Sequence, residues 1–189
     1  MELPNVYRAL PSWWQRLSFW YARLCAILLH WGQLYGTYPY QYHLDRVVGV
    51  AVRFGVTDLP FLKSCLGHDL PEDQKTPAWL LWLIGMCKQA RTLIFAVTDE
   101  PGATRAERKE KTYPKIASTL RAVVLKLCDR IANVEECIRS GNWKQLEKYR
   151  AEQAHFAQMC FRLCDREARP LWAHLDKLFA DNPTRTVTA

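Results

Sequence analysis

The chain has 189 residues, 49% apolar and 24% charged, with a formal charge of +7. That is enough for one domain with a proper core, and the composition is ordinary for a globular protein. Five units of the positive excess lie between Pro101 and Arg130, where Arg105, Arg108, Lys109, Lys111, Lys115, Arg121, Lys126 and Arg130 meet three acidic residues. An excess that modest, with no motif of a nucleic-acid-binding fold, argues against nucleic acid and suits a phosphorylated small molecule.

The first element is a helix of about twenty residues, from 11 to 31. Trp13, Leu17, Trp20, Leu24, Leu28 and Trp31 recur at three and four, Pro11 and Ser12 give the start, and Gly32 gives the stop. Arg16 and Arg23 interrupt it, so it is no bilayer span, and it lacks the basic start and cleavage site of a secretory signal. A core helix is expected; an interfacial helix or a partner-binding helix remains open. Gly32 to Tyr42 is a loop with Gly36, Pro39 and four tyrosines, among them Tyr35, placed either to stack on a base or to pack the loop down.

His43 opens a second helical pattern through Val47, Val48, Val50, Ala51 and Phe54, closed by Gly55. A short loop, Val56 to Pro60, leads to the apolar run Leu59 to Leu66. Two antiparallel helices joined there bring His43 and His68 to one end. Directly after the run come Gly67-His68-Asp69-Leu70-Pro71-Glu72-Asp73. Acidic groups at the end of a buried segment must be paired, protonated or bound to a cation. On a helix, His68 shares a face with Glu72, and Asp69 with Asp73. Histidine and carboxylates converging on one spot describe a site for Mn²⁺, Fe²⁺ or Zn²⁺.

Thr76-Pro77 starts a helix expected to run to Val97, with Trp79, Leu80, Leu83, Ile84, Cys87, Ala90, Leu93 and Ile94 buried. Residues 98 to 102 form a turn, and the charged stretch 103 to 113 is a mobile lid or a solvated helix. A further helix is expected from Pro114 to Gly141, with the stripe Ile116, Leu120, Val123, Val124, Leu127 and Ile131. Asp129 sits beside that stripe and needs a partner, and Asn133 shares its face. Two amphipathic helices, 143 to 164 and 167 to 179, and a frayed tail from 181 complete the chain. With no convincing strand, the fold is all-α.

The seven cysteines (Cys25, Cys65, Cys87, Cys128, Cys137, Cys160 and Cys164) form no Cys-x-x-Cys pair. They read as small reduced core residues of a cytoplasmic protein. His30, at the end of the first helix, suits a helix C-terminus. His155 and His174 read as ordinary surface or half-buried residues.

Three motifs occur in order: Tyr40-Gln41-Tyr42-His43, His68-Asp69-x-x-Glu72-Asp73 and Lys126-Leu127-x-Asp129-Arg130-x-x-Asn133. Together they resemble the metal-dependent phosphohydrolases of the HD-domain superfamily, and within it the hydrolase domain of the RelA/SpoT family. The small single-domain alarmone hydrolases of that family are nearest in size. The resemblance spans about residues 31 to 138 of a single domain covering 1 to 189. It implies an HD-domain helical bundle that uses Mn²⁺ to remove the 3′-pyrophosphate of guanosine tetra- and pentaphosphate. It implies His43, His68, Asp69 and Asp129 as metal ligands, Glu72 and Asp73 as the pair that orders and deprotonates the attacking water, and Asn133 near the ribose. Lys126, Arg130, Arg105, Arg108 and Lys109 would neutralise phosphate. With no stretch left for a synthetase domain, a stand-alone hydrolase is expected.

Three positions depart from the family pattern. Its basic pair, about nine residues before the first metal histidine, is replaced by Leu34-Tyr35. Glu136 stands where a small hydroxyl residue is usual, and Pro71 would break a helix passing through the central motif. These departures keep open another nucleotide substrate, such as a deoxynucleotide triphosphate or a phosphorylated dinucleotide. A catalytically silent HD domain that senses nucleotides or binds protein is the alternative from a different class.

Overall fold

The computed structural model describes residues 4–162 and 165–183. Helices α1 (Pro4–Ala9) and α2 (Trp13–Leu29) lead into a short antiparallel ladder, β1 (Leu34–Tyr35) with β2 (Tyr38–Pro39). Then follow α3 (Gln41–Arg53), α4 (Leu59–Gly67), α5 (Leu70–Asp73), α6 (Ala78–Leu83), α7 (Lys88–Val97), α8 (Arg105–Ser118), α9 (Ala122–Ser140), α10 (Trp143–Cys160) and α11 (Ala168–Asp181). The fold is all-α, as the sequence predicts.

Helix α9 is the hub. Its sequence is apolar on nearly every side, and Val124, Leu125, Leu127, Cys128, Ile131, Ala132 and Val134 are fully buried. A helix of that kind belongs in the middle, and α3, α4, α7, α8, α10 and α11 all pack on it. Gly141, in the left-handed region at φ 69°, stops it, and the Asn142 amide reaches back to the Cys137 carbonyl at 2.9 Å. The Asn142 side chain then caps α10 by accepting from the Gln145 amide at 3.2 Å.

The helices that carry the site are held closely. Gly67, at the end of α4, lies against α7: a Cβ there would stand 2.8 Å from Ile94 Cδ1. Asp58 caps α4 through the Phe61 amide at 3.1 Å. Beneath α3, Asp45 is almost fully buried and takes a two-pronged bond from Arg23 of α2, at 2.7 and 2.5 Å.

Several elements differ from expectation for identifiable reasons. The first helix forms, but Leu17, Leu24, Leu28 and Trp31 of its proposed core stripe are more than half exposed, as is Trp13. Phe19, Ala22 and Ala26 face the core instead. The helix expected from Pro77 to Val97 divides into α6 and α7. Gly85 adopts φ 82° at the break, and the buried Lys63 ammonium binds its carbonyl at 2.6 Å. Trp79, Leu83 and Cys87 are consequently exposed. Pro114 lies inside α8 rather than starting a helix, and the chain turns at Arg121, φ 64°, before α9 begins. Leu120, placed on the stripe, is 87% exposed. The charged stretch expected as a lid or solvated helix forms most of α8.

Of the cysteines, Cys65, Cys128, Cys137 and Cys160 are buried as expected, Cys25 is half-buried, and Cys164 lies outside the described residues. Most of the proposed frayed tail, 184 to 189, also lies outside them. Among the described residues, no helix is long and apolar enough to cross a membrane.

Candidate active site

Four side chains from three parts of the chain converge, with His43, His68 and Asp69 in one tight group and Asp129 against the two imidazoles. His43 stands in the first turn of α3, His68 and Asp69 in the bend between α4 and α5, and Asp129 midway along α9. His43 Nε2 is 3.3 Å from His68 Nε2, 3.4 Å from Asp69 Oδ2 and 3.3 Å from Asp129 Oδ1. His68 Nε2 is 3.0 Å from Asp69 Oδ2 and 3.6 Å from Asp129 Oδ1. Both histidines and Asp129 are buried, and Asp69 is half-buried.

Pro71 does not disturb this. The chain leaves α4 before His68, and Pro71 occupies the first turn of α5, where proline is tolerated. The bend itself aims the His-Asp pair inward.

The side chains are oriented from behind. His68 Nδ1 pairs with the Cys65 carbonyl at 2.9 Å, which leaves Nε2 facing the cluster. The Tyr35 ring stacks on the His43 imidazole with centroids 4.8 Å apart. The Tyr40 hydroxyl donates to Asp69 Oδ2, and its ring stacks on His30 at 4.4 Å. Burial, followed by nearby carboxylates, raises the Tyr40 pKa and keeps the hydroxyl a donor. On α9, Lys126 Nζ binds Asp129 Oδ2 at 2.8 Å and Asn133 Nδ2 binds Asp129 Oδ1 at 2.6 Å.

Electrostatics follow from this crowding. Burial alone would push both aspartates up. Lys126 and the imidazoles outweigh it at Asp129, and His68 and His43 do so at Asp69, so each carboxyl sits well below its usual range. Burial opposes the Lys126 charge, but Asp129 and Glu72 reverse that and raise it. The carboxylates likewise overcome burial at His43 and His68 and raise both.

Two imidazole nitrogens facing each other with two carboxylate oxygens, all inside the protein, require positive charge between them. His43, His68 and Asp69 offer ligand atoms 3.0 to 3.4 Å apart, the spacing around one six-coordinate ion with bonds of ~2.1 Å, and Asp129 Oδ1 adjoins both imidazoles. The donor set therefore fits a divalent cation, and mixed imidazole and carboxylate ligation suits the transition metals.

The cluster forms one wall of a cavity of ≈180 Å³. Glu72 lines it, and burial raises the Glu72 pKa above the ordinary glutamate value. Asp73 does not: it is exposed and accepts from Gln33 at 2.6 Å, outside the cavity lining. Lys126, Arg130, Arg105 and Lys109 line the cavity together with Tyr35 and Asn133. None of these cations stands alone. Arg105 pairs with Glu152 at 2.5 Å, Lys109 with Asp99 at 2.6 Å, and Arg130 with Glu152 at 3.4 Å and the Tyr149 carbonyl at 2.5 Å. Arg108 lies outside the cavity lining, 3.6 Å from Asp99.

A second cavity of ≈640 Å³ adjoins the first and shares Tyr35, Asn133 and Tyr149 with it. Glu136 and Arg139 line it, paired at 2.6 Å, and the Tyr42 hydroxyl donates to Glu136 at 2.8 Å. Asp99, Tyr149 and the Tyr40 hydroxyl were not separable from the background in sequence. Tyr40 sits within a quoted motif, but Asp99 and Tyr149 carry no local signal. His30 is the C-cap of α2, as expected, and is buried: burial lowers its pKa despite the neighbouring Gln33 and carboxylates. His174 pairs with Glu135 at 2.9 Å and His155 with Glu110 at 3.0 Å, both away from the cluster.

No protein-family model matches the chain, and its sequence matches no curated protein. By structure it is similar to a metazoan orthologue of SpoT, described as hydrolysing ppGpp and playing a role in starvation responses. The two superpose with a TM-score of 0.70 at 21% identity, over 93% of this chain and 99% of the other. That likeness establishes the architecture: the chain has the helical fold of that protein.

Proposed function

We propose that this chain is a divalent-cation-dependent phosphohydrolase that removes the 3′-pyrophosphate of guanosine tetra- and pentaphosphate. The observation that carries the reading is the convergence of His43, His68, Asp69 and Asp129 on a polar cavity rimmed by Glu72 and four cations. Likeness in fold to a SpoT orthologue described as hydrolysing ppGpp supports the choice of substrate.

In this reading the four converging residues hold the cation, and Mn²⁺ is the ion that the family resemblance implies. Such a cation supplies Lewis-acid polarisation of a phosphoryl oxygen and lowers the pKa of water. Glu72, a stronger base for being buried, accepts the proton of the attacking water. Lys126, Arg105, Lys109 and Arg130 receive phosphate oxygens by exchanging partners with Asp129, Asp99 and Glu152. Asn133, held by Tyr35 and Asp129, orients the sugar. The small cavity takes the pyrophosphate, and the larger adjoining one takes the nucleoside. There the Glu136 carboxylate offers an acceptor to base N–H groups. The role first assigned to Asp73 passes to Glu72 alone. A cytoplasmic enzyme is consistent with this substrate.

The exposed Leu34 and the engagement of Tyr35 with His43 favour a second reading, the same chemistry on another nucleotide. Product analysis separates the two. The Mn²⁺-loaded protein is incubated with guanosine tetraphosphate, common triphosphates and phosphorylated dinucleotides, with Asp69→Ala as control. Pyrophosphate release from guanosine tetraphosphate, lost in the variant, is the expected result. Turnover of a different nucleotide would move the substrate assignment, and no turnover with cation bound would leave a sensor.

A further inference from the structure

The apolar face of α2 is built to meet another helix. Trp14, Leu17, Tyr21, Leu24, Leu28 and Trp31 follow one another at spacings of three and four, alternately, and all point outward. They are 63%, 53%, 49%, 56%, 56% and 83% exposed. An alternating three-four repeat is the 3.5-residue period of a coiled-coil seam, which is completed by an opposing helix carrying the same repeat. Buried apolar positions of α2 lie on its other side, at Phe19, Ala22 and Ala26, so the seam is surplus to this chain's own core.

Helix α6 widens the surface. The Tyr21 hydroxyl donates to the Leu83 carbonyl at 3.2 Å, which places α6 alongside α2. Trp79, Trp82 and Leu83 of α6 are 66%, 65% and 55% exposed. With aromatic side chains of roughly 150–250 Å² each, the combined surface is on the order of 1,000 Å². The largest apolar patch of a monomer is typically about 300–600 Å², whereas a stable interface needs about 800 Å² from each partner.

We propose that this surface joins two copies of the chain, α2 against α2 about a twofold axis, with α6 of each copy at the flank. The surface complements itself. Within α2 there is no acidic residue and only two cations, both committed: Arg16 to the Leu10 carbonyl at 2.8 Å and Arg23 to Asp45. A lipid surface calls for basic residues beside the apolar stripe, and α2 offers none free; a like apolar seam needs no charge. Trp31 and Leu34 extend the surface to the strand that bears Tyr35, so the interface borders the active-site loop.

Sedimentation equilibrium of the full chain at micromolar concentration tests this. A species of twice the 22.0 kDa chain mass is expected. Leu24→Asp, in mid-seam, weakens its self-association on the order of a hundredfold, as central interface residues do. Trp82→Glu on α6 weakens it less. Both positions are exposed in the single chain, so far-ultraviolet circular dichroism of both variants matches the parent. A monomer throughout the concentration range overturns the proposal. So does a dimer that Leu24→Asp leaves intact, or a monomer that floats with phosphatidylcholine or phosphatidylglycerol vesicles.

Discussion

The Tyr35 hydroxyl donates to the Asn133 side-chain oxygen at 2.7 Å, across 98 positions of sequence. Asn133 passes the connection on to Asp129. The loop before α3 is thereby tied to the histidine–aspartate cluster through one amide. Tyr35→Phe keeps the stack on His43 and releases Asn133. With a hydrogen bond of about 1 kcal/mol at stake, KM should rise about fivefold while kcat and cation affinity change little. Steady-state kinetics and equilibrium dialysis of the variant check this.

Glu72→Gln should lower kcat by about 10²–10⁴, the range for loss of a general base, while the variant retains its cation. The parent should lose activity as pH falls through the Glu72 pKa, since a base must be ionised to accept a proton. Burial raises that pKa, so the acid limb of the kcat profile lies above the range of an exposed glutamate. For stability the same shift has the opposite sense: the group favours the fold while protonated, and that contribution is lost as pH rises through its folded pKa. An acid limb at the position of an exposed glutamate would count against this role.

Arg23→Leu should destabilise the fold by about 3–5 kcal/mol, because it strands the Asp45 carboxylate inside the protein. Asp45 lies two residues from His43 on α3, so local loosening reaches the cluster. Urea unfolding measures the loss. Arg23→Leu combined with Asp45→Leu should recover most of it, since no lone charge then remains buried.

Gly67→Ala forces a methyl group against Ile94 and Met86, both buried, the nearest atom 2.8 Å away. Those atoms are the ends of flexible side chains, so the cost is modest, about 1–2 kcal/mol. The displacement falls on the residue preceding His68. A drop in cation affinity larger than the drop in stability is expected, read by titration calorimetry beside thermal unfolding.

The convergence of the candidate ligands was legible in the sequence because it depends on residue identity. His43, His68, Asp69 and Asp129 announce themselves by type, and an antiparallel pair of helices was enough to bring the two imidazoles together. Orientation was less legible. Helix α2 is apolar on opposite faces, so periodicity finds two stripes and does not say which faces the core; the smaller residues Ala22 and Ala26 won because they admit α4 closely. The break between α6 and α7 depends on the ammonium of Lys63, 22 residues away from the Gly85 carbonyl it binds. The cations of α8 and α9 read as free charge, yet their partners Asp99 and Glu152 come from other turns and helices. Contacts of that range leave no mark on local spacing.

The charge lining the small cavity is balanced: Asp69, Glu72, Asp99 and Asp129 against Arg105, Lys109, Lys126 and Arg130. To a polyphosphate approaching from solution, such a surface is close to neutral and exerts little pull over a Debye length of about 8–10 Å. A divalent ion seated among the four donors would tip the balance by two charges. In the proposed reading binding would be ordered, ion before nucleotide, and the capture rate of the nucleotide would follow ion occupancy rather than the overall +7 of the chain.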